Sequence, residues 1–99
     1  MNRDAGAGKA KKAKSKKVGF KVAAAPGSEV YLAGSFNNWD ARRHRMRDNP
    51  ASGVYEIALV LPEGPHEYKF IVNSEWCTDP NCPELAINGL GTFNNIILV

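Results

Sequence analysis

From Val18 onward the apolar residues recur at every second position, the period of a half-buried β-strand. "VGFKVAA" puts Val18, Phe20, Val22 and Ala24 on one face and Gly19 and Lys21 on the other. "PGS" (26–28) breaks this strand, and "EVYLAG" starts the next. "VYEIALVL" (54–61) directs Tyr55, Ile57, Leu59 and Leu61 one way, with Glu56 and Ala58 opposite. "PEGP" (62–65) reads as a hairpin connection, because Pro presets φ and Gly permits positive φ. "HEYKFIVN" (66–73) returns with Tyr68, Phe70 and Val72 inward and Glu67, Lys69 and Ile71 outward. A tight turn at "NSE" leads to Trp76, and after a long loop "NNIILV" (94–99) supplies the last strand. No stretch carries a helical period. Short strands separated by regular turn signals predict an all-β fold, a β-sandwich of the immunoglobulin-like kind. The Cys…Trp…Cys spacing of an antibody domain is absent.

Charge divides the chain in two. Residues 1–17 hold six Lys and Arg3 against one Asp, a net +6, whereas residues 18–99 carry six basic and nine acidic side chains, a net −3. "GAGKAKKAKSKK" has no apolar periodicity and repels itself, so residues 1–17 are expected to be a disordered basic tail ahead of one domain at 18–99. Such a tail serves as a solubilising spacer, or gives weak, salt-sensitive attachment to nucleic acid or an anionic surface. No aromatics interleave with its lysines, so base stacking is not indicated. The start lacks the apolar core of a secretory signal, and no apolar run is long enough to span a bilayer. A cytoplasmic protein with no membrane partner is expected.

Candidate chemistry is sparse. Cys77 and Cys82 are the two cysteines, which argues against a disulfide framework. A zinc site would have to recruit His44 and His66 from separate loops. Neither cysteine follows a Gly-rich elbow or opens a helix that would activate it. Asp40, Glu75 and Asp79 could pair for glycosidic chemistry, but a domain of this size offers little depth for a desolvated cleft. "GLGTFN" (89–94) precedes no helix and is no dinucleotide fingerprint. No enzyme activity and no cofactor are expected. The arginines of "ARRHRMRD" read as a solvated loop.

What remains is a binding surface. Lys69 is outward by parity, Trp76 follows the next turn, and Trp39 sits in the polar turn "SFNNWD". A pyranose suits such a surface, because its C–H faces lie on an indole while its hydroxyls bond to Lys, Asn and Thr. From spacing alone, Trp39 as a lid and Trp76 as an edge filler are equally good readings. Lys69, taken singly, is an ordinary surface lysine, and Asn94 and Asn95 are turn residues before a strand.

"VYLAGSFNNWD", "LPEGPHEYKFIVNSEW", "DP" and "LGTFNNIILV", in that order and spacing, resemble carbohydrate-binding module family 48. Within it they are most similar to the glycogen-binding module of AMP-activated protein kinase β subunits. The resemblance covers residues 18–99 and implies an early-set immunoglobulin-like sandwich. It also implies sugar contacts at Trp39, Lys69, Trp76, Leu90, Thr92 and Asn94, with Leu90 projecting between sugar units. The implied ligand is an α-1,4-linked glucan: glycogen, a maltooligosaccharide or a cyclodextrin. A glycogen-metabolising enzyme or a kinase is the implied protein partner. Kinase regulation and glucan cleavage are not carried over; only binding is.

Two departures stand out. "NS" at 73–74 replaces an Asp-Gly turn, which bears on the angle of Trp76, and Phe93 is bulkier than the small apolar residue usual there. The rival expectation is an interaction module of the same fold that docks on a protein and no longer depends on sugar.

Overall fold

A computed structural model describes residues 14–49, 52–82 and 84–99. Among the described residues nine strands form: β1 (Ser15–Ala23), β2 (Val30–Gly34), β3 (His44–Arg45), β4 (Arg47–Asn49), β5 (Val54–Pro62), β6 (Pro65–Val72), β7 (Glu75–Cys77), β8 (Leu85–Ile87) and β9 (Phe93–Leu98). One turn of 3-10 helix, Ser35–Asn37, follows β2. Every pairing is antiparallel. Strands β3-β2-β6-β9-β8 run side by side, and β7 pairs with the end of β6 that β9 leaves open. The second sheet is β1-β5-β4. The chain is thus an all-β, immunoglobulin-like sandwich.

The core is what the alternation prescribes. Phe20 and Val22 of β1, and Tyr55 and Leu61 of β5, face Val30 and Leu32 of β2 and Tyr68 and Phe70 of β6. Val18, Ala24, Ile57, Leu59 and Val72 pack at the margins. Strand β1 begins at Ser15, so Ser15–Lys17 pair with β5 ahead of the expected boundary at Val18. The rest of the expected basic tail, residues 1–13, lies outside the described residues.

Three expectations change. "PEGP" is not a hairpin within one sheet: β5 and β6 belong to opposite sheets, and the turn carries the chain between them. It is held there because Glu63 N donates to the Lys14 carbonyl at 2.8 Å while Gly64 and Val99 exchange two backbone bonds of 2.9 Å. Turn residues report a reversal; they do not report which sheet receives the next strand. The arginine segment is not simply a loop either. Its arginines are exposed, but Met46 is 2% exposed and plugs the core where the chain passes from β3 to β4. Finally, Ile71 is on the outer face as its parity requires, yet only 4% exposed. It lies directly across from Trp76 of β7 and beside Tyr31 of β2, which accounts for its burial.

Candidate functional site: the outer face of the six-stranded sheet

Three loops and one strand converge on this face. The first is the turn after β2. Gly34 can be nothing larger, since a Cβ there would stand 2.5 Å from the Glu67 carbonyl oxygen and 2.6 Å from the Phe36 ring. The buried Asn37 then organises the turn: its Oδ1 accepts from Gly34 N at 3.0 Å and its Nδ2 donates to the Leu32 carbonyl at 3.1 Å. The remaining Nδ2 hydrogen meets His44 Nδ1 at 2.9 Å, so that ring nitrogen accepts and the imidazole proton sits on Nε2. Phe36 packs on Phe20, His44 and His66, with centroids 6.0, 6.4 and 6.2 Å away. Asn38 and Trp39 both take left-handed backbone, φ 57° and 58°. For Trp this conformation is strained. It is locked by Trp39 N donating to the Gly34 carbonyl at 2.9 Å. The turn therefore delivers a half-buried indole to the outer face.

The second loop is the β6–β7 hairpin. Asn73 and Ser74 have φ of 50° and 73°, the two-residue reversal that matches strand twist, here without glycine. Asn73 also ties the turn to the strand before β2: its Oδ1 accepts from Glu29 N at 3.0 Å and its Nδ2 donates to Ser28 Oγ at 3.2 Å. Trp76, two residues on, is 47% exposed.

Beyond Trp76 the chain is pinned from below by Asn95, which is fully buried. Asn95 Oδ1 accepts from Asp79 N at 2.6 Å, and its Nδ2 donates to the Asp79 and Cys82 carbonyls at 3.3 Å. The Tyr68 hydroxyl donates to Asp79 Oδ2 at 2.8 Å. Burial first, then the bond to Asp79 and the nearby Cys82, push the Tyr68 phenol far above its ordinary range, so it stays a donor. Both cysteines are free thiols.

The third loop, 88–92, joins β8 to β9 and closes with Asn88 N donating to the Thr92 carbonyl at 2.8 Å, Gly91 supplying φ 82°. At its tip Leu90 is 89% exposed, the barest large apolar side chain of the described residues. Asn94 starts back into the sheet, buried, its Nδ2 donating to Glu67 Oε1 at 2.9 Å. Lys69 Nζ reaches Thr92 Oγ1 at 3.3 Å.

All six residues expected at the site, Trp39, Lys69, Trp76, Leu90, Thr92 and Asn94, line one open hollow of about 540 Å³. A seventh wall residue is Asn88, which the sequence reading missed. Its position two residues before Leu90 and four before Thr92 is the local signal, since Asn commonly accepts from main-chain N–H groups just downstream. The hollow has indole and leucyl walls and a rim of amide, hydroxyl and ammonium groups. Among the described residues no cluster of His, Cys, Asp and Glu could hold a metal.

A larger hollow, about 610 Å³, opens at the sheet edge between Gly27, Ser28, Arg45, Arg47 and Tyr55. Its inner polar groups are spent on the fold: Ser28 N donates to the Tyr55 hydroxyl, and Ser28 Oγ and the Tyr55 hydroxyl both donate to the Ala25 carbonyl. Size alone would rank it first; the convergence of two indoles and Leu90 with the Lys69 ammonium and the Thr92 hydroxyl favours the Trp39–Trp76 hollow.

The chain is similar to known proteins over most of its length. The family model for the glycogen recognition site of AMP-activated protein kinase matches residues 20–99. The 5'-AMP-activated protein kinase subunit beta-1 of Sus scrofa is 45% identical over 73 residues, 74% of this chain and 56% of that protein. The human beta-1 subunit is also 45% identical over 73 residues, 25% of its length, and the mouse beta-2 subunit is 41% identical over 26% of its length. The chain thus matches about half of the pig sequence and a quarter of the other two. With the match running from Phe20 in β1 to Val99, across both sheets and all three loops, the chain belongs to the glycogen recognition family of AMP-activated protein kinase.

Proposed function

We propose that the chain binds α-1,4-linked glucan without acting on it, through the hollow between Trp39 and Trp76. The observation that carries this reading is the meeting of two indoles from separate loops with Leu90 between polar groups of Lys69, Thr92 and Asn94. A glucan offers alternating C–H faces and hydroxyl edges, and the hollow offers their complements. The indoles take the C–H faces, Leu90 packs between successive rings, and the rim groups orient hydroxyls. The residues near the hollow perform no chemistry on the bound chain. A shallow, open site with few direct hydrogen bonds gives modest affinity, on the order of micromolar to millimolar Kd. The relatives are named as subunits of a kinase, so a kinase is the protein partner this reading favours.

Titration of the chain with maltoheptaose or β-cyclodextrin, followed by tryptophan fluorescence, tests the reading directly, since Trp39 and Trp76 are the only two indoles. A saturable change is expected, together with retention on a glycogen-containing gel that Trp39→Ala and Trp76→Ala abolish. Equal migration of the parent and both folded variants would exclude the glucan site.

A further inference from the structure

We infer that Asn88 is a positioning residue that sets the hydrogen-bond polarity of the hollow, making Thr92 a donor toward its ligand. This rests on the glucan reading for the identity of the ligand, but the polarity itself follows from the chain alone. Asn88 Oδ1 accepts from two main-chain groups, Leu90 N at 2.9 Å and Thr92 N at 3.1 Å. Main-chain N–H groups can only donate, so the amide orientation is fixed and Nδ2 must be the atom facing Thr92 and Asn94. Nδ2 donates to Thr92 Oγ1 at 2.7 Å and to Asn94 Oδ1 at 3.1 Å. Both acceptor sites and both donor hydrogens of the amide are then used. Asn88 lines the hollow but has nothing polar left to give a sugar.

The consequence falls on its neighbours. Thr92 Oγ1 accepts from Asn88 Nδ2 and also from Lys69 Nζ at 3.3 Å. With both lone pairs taken, the hydroxyl has only its proton left, and that proton points to the ligand. Lys69 keeps two hydrogens, so Lys69 and Thr92 together present donors. Asn94 is fixed in the same way, because its Nδ2 is held by the Glu67 carboxylate and its Oδ1 by Asn88. The part of the rim formed by Lys69 and Thr92 thus favours ligand oxygens that accept, and disfavours a donor placed against Thr92. Glu67 and Lys69, both on β6, are the charged groups this network touches.

Asn88→Asp tests the assignment, because it keeps the shape and the acceptor Oδ1 but exchanges the donor NH₂ for an oxygen. At pH 6.5 the carboxylate faces the Asn94 oxygen lone pair and draws the Thr92 proton inward, away from the ligand. In the parent, both Nδ2 hydrogens of Asn88 are bonded, to Thr92 Oγ1 and Asn94 Oδ1, whereas the Asn38 side chain is exposed. In the unliganded chain, the side-chain NH₂ of Asn88 is therefore expected to exchange with solvent more slowly than that of Asn38, read by NMR. Maltoheptaose affinity of N88D at pH 6.5 is expected to fall by about tenfold. Asn88 amide hydrogens that exchange as fast as those of Asn38, or an N88D variant that binds as tightly as a binding parent, overturn the polarity assignment. If the parent chain fails to bind maltoheptaose, the glucan reading falls, and the unliganded amide exchange still decides for or against Asn88.

Discussion

Replacing Trp76 by Leu isolates the flat apolar face that the proposed function requires. The indole is 47% exposed, so of a Trp surface of roughly 150–250 Å² about 100 Å² faces solvent. A glucosyl face covers about half of that and buries a similar area of its own, about 100 Å² in all. At about 25 cal/mol per Å² the contact contributes about 2.5 kcal/mol, roughly 70-fold in Kd. The other half of the indole stabilises the fold, because Ile71 lies directly across from it at 4% exposure. Leu retains much of that cover, and Asn73, bonded to Glu29 and Ser28, keeps the hairpin in place. Trp76→Leu is therefore expected to melt within a few degrees of the parent while binding maltoheptaose tens-fold more weakly by calorimetry. Trp76→Ala, which also uncovers Ile71, is expected to lose both affinity and stability. Parent-like affinity in a folded Trp76→Leu variant would refute the stacking argument, whatever the gel retention of the parent.

The remaining predictions concern what holds the hollow together. Asn95→Ala leaves the Asp79 N–H and the partly buried Asp79 and Cys82 carbonyls without their partner, and urea denaturation should register a loss of about 1–3 kcal/mol. Gly34→Ala forces a Cβ against the Glu67 carbonyl of the neighbouring strand, a contact between two backbones that neither relieves by rotating. A cost of about 2–3 kcal/mol and a shift in the Trp39 emission are expected. For Tyr68, whose folded phenol titrates above the ordinary 10.0, the unfolded chain ionises first, so the stabilisation is complete below pH 10 and lost as pH rises beyond it. The stability gap between the parent and Tyr68→Phe, which share all other titrating groups, should shrink above pH 10; parallel alkaline limbs would show that the phenol is not protected.

The strands were legible because each has one face in the core, and the two-residue period records that directly. Phe20, Tyr55, Leu61 and Phe70 are where alternation puts them. Sheet membership was not legible, since "PEGP" specifies a reversal and leaves the partner open. Only the long-range bonds of Glu63 to Lys14 and of Gly64 to Val99 decide it. Met46 was hidden for another reason: between four exposed arginines a single apolar residue has no period. At the hollow, the six positions that line it were singled out by ordered motifs, yet spacing alone left Trp39 and Trp76 evenly divided between filler and platform. Asn88 escaped because an amide's work lies in what it bonds, and composition shows only another turn residue.

That last point extends to the whole face. Each loop that delivers a wall of the hollow is held by a side-chain amide whose capacities are spent internally. Asn37 binds the Trp39 turn to β2, Asn73 binds the Trp76 hairpin to Glu29 and Ser28, Asn95 pins the segment beyond it, and Asn88 closes the Leu90 loop. An amide suits this work, since it supplies two donors and two acceptors without charge, so anchoring a loop adds no field to the binding surface. Glycine would allow the same turn at Asn73 but would bond nothing. The result is a hollow whose walls are fixed before ligand arrives, so that little ordering entropy opposes binding. For a site with so few direct hydrogen bonds, that preorganisation decides whether two indoles and a leucine are enough. Loosening any one of the four amides should therefore weaken binding even where the altered residue never touches the sugar.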